Sequence, residues 1–268
     1  MKKIFIVCSV CFCAFTSMSP KTNAFSSGDK KFTSLLPSIE NEAPVVVKWI
    51  DSVYDAIHLD SFGLKKDIFY FACKGYEYLL SQNKLQKPSI LTICDYSQSS
   101  DGKRLYVIDL SEGKLLFNTY VSHGKNSGNE YATSFSNRED SHKSSLGFMV
   151  TGETYRGHKG YSMCLEGMEP GINDNVRERN IVMHGSNYVN AKRADEGSNM
   201  GRSFGCPAVS YAEHKKIIDA IKGGSCFFIY TNDPVYAHSS PILNARFEWP
   251  SLTLPTPTLE EVVVAPQQ

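Results

Sequence analysis

Ile181-Val182-Met183-His184-Gly185 and Gly201-Arg202-Ser203-Phe204-Gly205-Cys206-Pro207 bound the stretch of this chain from which the rest is read. The first is an apolar run ending in a histidine and a glycine, the pattern of a core strand that carries a polar side chain at a rigid end. The second places a cysteine behind a glycine, which leaves the sulfur and the neighbouring N–H groups open to a substrate. A free thiol has a pKa of about 8.5, so at neutral pH it needs an adjacent proton acceptor to become a nucleophile. His184 is the candidate acceptor for Cys206, since nucleophile and base meet in space and not in sequence. The N–H groups of Gly205 and Cys206 are candidate donors to the oxyanion that forms when a carbonyl is attacked. Taken alone, a cysteine is most often a small buried apolar residue and a histidine a structural one, so the pair gains weight only from its context.

Two other motifs overlap this stretch. Gly201-Arg202-Ser203-Phe204-Gly205 fits G-x-S-x-G, in which a serine nucleophile sits between a hydrophobic strand and a helix. The preceding Asp195-Glu196-Gly197-Ser198-Asn199 is no core strand, and Pro207 follows almost at once, so the context fails. A metal site drawing on His123, His158, His184 and Cys206 lacks the paired C-x-x-C or H-x-x-x-H spacing that such sites show. Neither a metal nor another cofactor is expected.

Working outward, residues 89–232 read as a mainly β domain. Short apolar runs at Ile90–Ile93 and Leu105–Ile108 lead to Ser111-Glu112-Gly113-Lys114 and Leu115–Phe117, a hairpin signature. Further strands are predicted at 147–151, 162–165, 181–184 and 226–230. Ser210 and Glu213 match a capping box for a helix carrying Ile217, Ile218 and Ile221, with Gly223-Gly224 as its stop. Residues 25–88 form a helical prefix expected to pack on the main domain, with Leu64, Ile68, Ala72, Gly75 and Leu79 on one apolar face. Residues 233–268, rich in Pro, Ser and Thr, are expected to be a partly disordered tail.

Residues 1–24 have the layout of a secretory signal: Lys2 and Lys3, an apolar run from Ile4 to Phe15, and small residues ending at Ala24. The run is shorter than the roughly 20 residues of a spanning helix, so the processed chain is expected to have no stable membrane span and to work in the periplasm or cell envelope. The whole chain has 28 basic and 28 acidic residues; without the three lysines of the leader, 25 basic residues face 28 acidic ones, a net charge of −3. That balance gives no electrostatic case for binding nucleic acid. Five cysteines remain, Cys73, Cys94, Cys164, Cys206 and Cys226, and an odd number leaves at least one thiol free in an oxidising compartment.

At these residues the sequence resembles the L,D-transpeptidase catalytic domain, in its divergent murein L,D-transpeptidase branch (YkuD-like). The likeness runs from the helical prefix to Tyr230. It is carried by Arg104-Leu105-Tyr106-Val107-Ile108-Asp109, Val121-Ser122-His123-Gly124-Lys125, Phe135-Ser136-Asn137, Ser144-Ser145-Leu146-Gly147 and the two segments quoted at the outset, the second extended to Ala208. The resemblance implies an L,D-transpeptidase-like β-sandwich with flanking helices and peptidoglycan stem peptides as partners. It implies that Cys206 attacks the bond between the diamino acid and D-alanine of a tetrapeptide stem, with His184 as base and the Gly185 carbonyl orienting it. An amine of another stem would then resolve the thioester; with water, the same site would act as an L,D-carboxypeptidase. Arg202, Ser203, His158 and Tyr161 are the candidate substrate contacts. The chain departs from the familiar signature at Phe204, where the family has histidine, and at Pro207-Ala208. Phe204 cannot exchange protons, so acid–base work falls on His184, and a wall-binding protein without turnover is the reading this departure keeps open.

Overall fold

The computed structural model describes residues 42–249. The leader expected at 1–24 and the end of the C-terminal stretch lie outside the described residues. Helix α1 (Pro44–Ile57) carries its proline in the first turn, where the missing N–H leaves no bond unmade, and buries Val46, Trp49, Ile50 and Val53. A 3-10 turn (Leu59–Phe62) leads into α2 (Lys66–Ser81), where Ile68, Ala72, Gly75 and Leu79 are buried as their spacing predicts. Gly75 lets the helix lie close on the sheet: a Cβ there would sit 2.0 Å from the Phe148 ring. Phe148 in turn stacks on Phe228 at 4.1 Å between centroids. The helices and the sheet therefore share one apolar core.

The strands are β1 (Ile90–Asp95), β2 (Leu105–Asp109), β3 (Lys114–Thr119), β4 (Gly147–Gly157), β5 (Gly160–Gly167), β6 (Val182–Ser186), β7 (Ala208–Ser210) and β8 (Cys226–Tyr230). They form one sheet in the order β3-β2-β1-β8-β4-β5-β6-β7. The pairings of β1 with β8 and of β6 with β7 are parallel and the others antiparallel. Both faces of β1 and β8 are covered, and their near-continuous apolar sequences reflect it. Beyond β3 the chain turns so that Ser122 bridges Ala208 of β7, its N–H donating to the Ala208 carbonyl at 2.8 Å. One bridge thus ties the segment after β3 to the other outer strand, β7. The architecture is mainly β with flanking helices, as the sequence predicts.

Local details differ from expectation. Ser210 does not cap the following helix, α4 (His214–Ile221): it ends β7, its hydroxyl donates to Glu213 Oε2 at 3.0 Å, and the helix starts beyond Glu213. Strand pairing claims the Ser210 backbone before the helix begins. The stop at Gly223-Gly224 is as expected, both residues having positive φ. A short α3 (Ala191–Asp195) is capped by the Asn190 side chain. The stretch from 233, expected as a partly disordered tail, belongs as far as 249 to the packed body. Asp233 caps α5 (Pro234–Ser239), and Tyr236, Ile242, Leu243 and Trp249 are buried. These anchors have no helical or strand period, so composition outweighs them in a sequence reading. Among the described residues, no helix is long and apolar enough to cross a membrane.

Candidate active site

Strand alternation on β6 sends Val182 and His184 toward one cleft and Met183 and Gly185 the other way. On that other side a Cβ at Gly185 would come 2.4 Å from the Tyr211 ring and 2.8 Å from His214, so close packing behind the strand requires glycine. The Gly185 carbonyl lies 2.9 Å from Nδ1 of His184. A carbonyl only accepts, so Nδ1 carries the proton in this bond and Nε2 is left as the basic nitrogen.

Cys206 reaches the same cleft from the segment before β7. His184 is in register with Ala208 across the parallel β6·β7 pairing, and the Val182 N–H donates to the Cys206 sulfur at 3.5 Å. The thiol itself donates to the Asn180 carbonyl at 3.6 Å. The loop before it is clamped like a strand: Gly124 bridges Ser203, the Lys125 N–H donates to the Ser203 carbonyl, and the Ser203 N–H donates to the His123 carbonyl. Gly205 has φ +119°, and a Cβ there would meet the Lys143 carbonyl oxygen at 2.6 Å and Ile181 at 2.8 Å. Glycine is the residue that fits immediately before the sulfur.

The cleft has a volume of about 570 Å³ and is lined by Tyr155, Ser162, Lys159, Arg179, Val182 and Tyr188 besides His184 and Cys206. Lys159, Arg179 and Arg202 border it and no carboxylate does, so its field favours an anionic ligand. Burial pushes the Cys206 thiol up, opposed by the Val182 N–H and by the Arg179 charge. Burial pulls the His184 imidazole down; the Gly185 carbonyl opposes that, while Lys159, His158 and His214 reinforce it. Burial thus favours the uncharged form of each group, a thiol and a neutral imidazole.

Of the candidate substrate contacts, Arg202, Ser203 and His158 line this cleft. His158 and Lys159 form the two-residue turn joining β4 to β5 at its rim. Tyr161 does not line it: one residue before Ser162, it faces the opposite side of β5, where its hydroxyl donates to Asp219 of α4 at 2.8 Å. The Gly205 N–H, a candidate oxyanion donor, donates to the Ser203 hydroxyl at 3.2 Å. Phe204 is 62% exposed, stacks on His142 at 4.3 Å and has the Lys125 ammonium 4.3 Å from its centroid. His123 lies in the interior between Arg104 Nη2 at 2.8 Å and the Gly128 carbonyl at 3.1 Å. Burial and the Arg104 charge hold its imidazole down at about 4. Among the described residues no group of three or more His, Cys, Asp or Glu is arranged to hold a metal ion. None of the five cysteines of the described chain is in a disulfide, and Cys206 is the one not classed as buried. Sequence reasoning missed Arg179, Asn180 and Lys159, whose neighbourhood reads as solvated charge.

The family model for the L,D-transpeptidase catalytic domain (YkuD_2) matches residues 61–230, from the turn before α2 to the end of β8. No curated protein matches the chain. Among solved structures, an L,D-transpeptidase from Mycobacterium smegmatis is similar at 13% identity and a TM-score of 0.33, the match covering 53% of this chain and 59% of that one. An L,D-transpeptidase (Yku) from Stackebrandtia nassauensis is similar at 15% identity and TM-score 0.33, covering 69% and 92%. One from Xylanimonas cellulosilytica is similar at 14% and 0.30, covering 73% and 97%. These structural likenesses are too loose to carry an argument. The family model, which spans more than half of the chain and both cleft residues His184 and Cys206, establishes that this protein belongs to the L,D-transpeptidase catalytic domain family.

Proposed function

We propose that this protein is a peptidoglycan L,D-transpeptidase with Cys206 as nucleophile and His184 as base. The observation that carries the reading is that both side chains line one cationic cleft while the Gly185 carbonyl keeps the His184 Nε2 free to accept a proton. In the first half-reaction the Cys206 proton passes to Nε2 and the sulfur attacks the carbonyl between the diamino acid and D-alanine of a tetrapeptide stem. The Cys206 N–H supports the oxyanion, and the Gly205 N–H joins it once it leaves the Ser203 hydroxyl. The C–N bond then breaks, imidazolium gives its proton to the departing amine of D-alanine, and a thioester remains. In the second half an amine of another stem attacks the thioester, His184 takes its proton, and the thiol is restored. Water in place of the amine gives L,D-carboxypeptidase activity at the same site. Arg202, exposed and without a side-chain hydrogen bond or ion pair among the described residues, together with His158 and Ser203, suits the carboxylates of the stem. Export to the periplasm or cell envelope, from the 1–24 pattern, is part of the same proposal.

The test is incubation of purified protein with defined tetrapeptide muropeptides under reducing conditions, with products read by mass spectrometry. Release of D-alanine by wild type and not by Cys206→Ala supports the reading. Unchanged stems in both sink it. A carbapenem adduct located on a residue other than Cys206 would contradict the nucleophile assignment.

A further inference from the structure

Arg179 lies just before Asn180, whose carbonyl accepts the Cys206 thiol, it lines the same cleft as Cys206, and its charge acts on the sulfur. The side chain is half-buried and makes no ion pair with a carboxylate among the described residues. All its hydrogen bonds run to neutral groups of one loop. Nη1 donates to the Ser136 carbonyl at 2.5 Å and the Ser145 hydroxyl at 2.7 Å; Nη2 donates to the Ser141 hydroxyl at 3.1 Å and the Lys143 carbonyl at 2.8 Å. Both terminal nitrogens are therefore fully engaged, and only Nε–H is left. An arginine so held cannot offer the bidentate fork by which arginine grips a carboxylate. What remains to it is a fixed, uncompensated positive charge on the wall next to the sulfur.

We infer that Arg179 is a positioning residue for the nucleophile: pinned by the 136–145 loop, it supplies the counter-charge that stabilises the Cys206 thiolate while His184 holds the proton. Burial raises the cost of a lone thiolate in the cleft, and a neutral imidazole gives no compensating charge until it is protonated. The remaining ionisable groups around the sulfur are Tyr155 of β4, His158 and Lys159 at the hairpin tip, Tyr188 beyond β6 and Arg202 on the nucleophile's own loop. Of the cations among these, Lys159 and Arg202 lie on exposed side chains open to solvent screening, whereas Arg179 is held by four bonds. The loop also carries the Lys143 carbonyl that packs against Gly205, so one side chain ties the charge and the nucleophile loop to the same frame. The inference rests on the reading of Cys206 as nucleophile, yet it concerns the thiol's acidity and not its substrate.

The test is the pH dependence of Cys206 alkylation by iodoacetamide in the full chain, read by mass spectrometry at that residue, so that it requires no peptidoglycan. Arg179→Met is expected to raise the apparent thiol pKa by about one unit, a roughly tenfold slower alkylation at pH values below both pKa values. Arg179→Lys, which keeps the charge but not the fork, is expected to hold most of the wild-type profile while lowering the melting temperature. Ser141→Ala and Ser145→Ala, which loosen the tether and leave the charge, are expected to leave the profile in place. A folded Arg179→Met with a profile superimposed on wild type overturns the inference. So does an Arg179→Lys profile displaced like that of a charge-free variant, a result that stays decisive if the methionine variant does not fold. A shifted profile in a protein that releases no D-alanine from tetrapeptides would retain Arg179's role and remove the transpeptidase reading, so the two failures are distinct.

Discussion

The Nδ1 of His184 donates to the carbonyl of the very next residue, Gly185, at 2.9 Å. This bond selects the tautomer that leaves Nε2 basic, and burial with the surrounding cations keeps the imidazole below its ordinary 6.5. The base must be neutral to accept a proton, so kcat/KM for D-alanine release is expected to fall on the acid side with a midpoint below 6.5. A pH–rate profile checks this. His184→Ala is expected to lose about 10²–10⁴-fold in rate with the fold intact by circular dichroism.

Gly205→Ala tests the tight turn before the nucleophile. The new Cβ has to be placed at φ +119° and 2.6 Å from a backbone oxygen that no flexible side chain can move aside. A cost of about 1–3 kcal/mol and a displaced Cys206 loop are expected. The checks are thermal melting and the rate of D-alanine release, both of which should decline.

Glu169 predicts how stability depends on pH. The carboxyl is buried, accepts hydrogen bonds from the Phe148 N–H, the Tyr236 hydroxyl and the Ser240 hydroxyl, and burial pushes it up to about 7. A carboxyl raised in this way binds its proton more tightly in the folded than in the unfolded chain. Its contribution is therefore fully present below the unfolded value of 4.5 and is lost as pH rises toward about 7, by about 3 kcal/mol at most. Melting temperatures across that range should fall more steeply in wild type than in Glu169→Gln, whose side chain does not ionise. Parallel curves would refute the assignment.

Deleting the chain after Asn232 removes α5 together with the buried Tyr236, Ile242, Leu243 and Trp249. It also strips Glu169 of two hydrogen-bond donors. Large apolar side chains each contribute about 1.5–3 kcal/mol when buried, so this loss rivals the whole stability of an ordinary domain. The truncated protein is expected to express insolubly or melt far below the full chain, as solubility and melting measurements would show.

Much of the sheet was legible because its strands are short apolar runs separated by turn residues. The hairpin at Ser111–Lys114 and the last strand at Cys226–Tyr230 fall where the pattern puts them. His184 and Cys206 stood out because a strand-end histidine and a glycine-flanked cysteine are unusual in company. Tyr161 falls outside the cleft because neighbouring residues of a strand face opposite sides, and it is Ser162 that takes the cleft side of β5. Arg179 was missed because Arg177-Glu178-Arg179-Asn180 looks like a solvated charge run, while its bonds reach a loop more than thirty residues earlier. The capping pattern at Ser210 is a short-range signal overruled by a long-range pairing with Ser186.

The place of β8 sets an order of events for the newly made chain. Within the sheet, strands β3-β2-β1 and strands β4-β5-β6-β7 are joined through β8, which is synthesised last of all the strands; a further link is the bridge from Ser122 to Ala208. Until residue 230 has emerged, the two halves have no common spine, and each offers a bare border to the other. Closure of the whole sheet therefore waits for the last strand, and long-range pairings of this kind are the slow ones in folding.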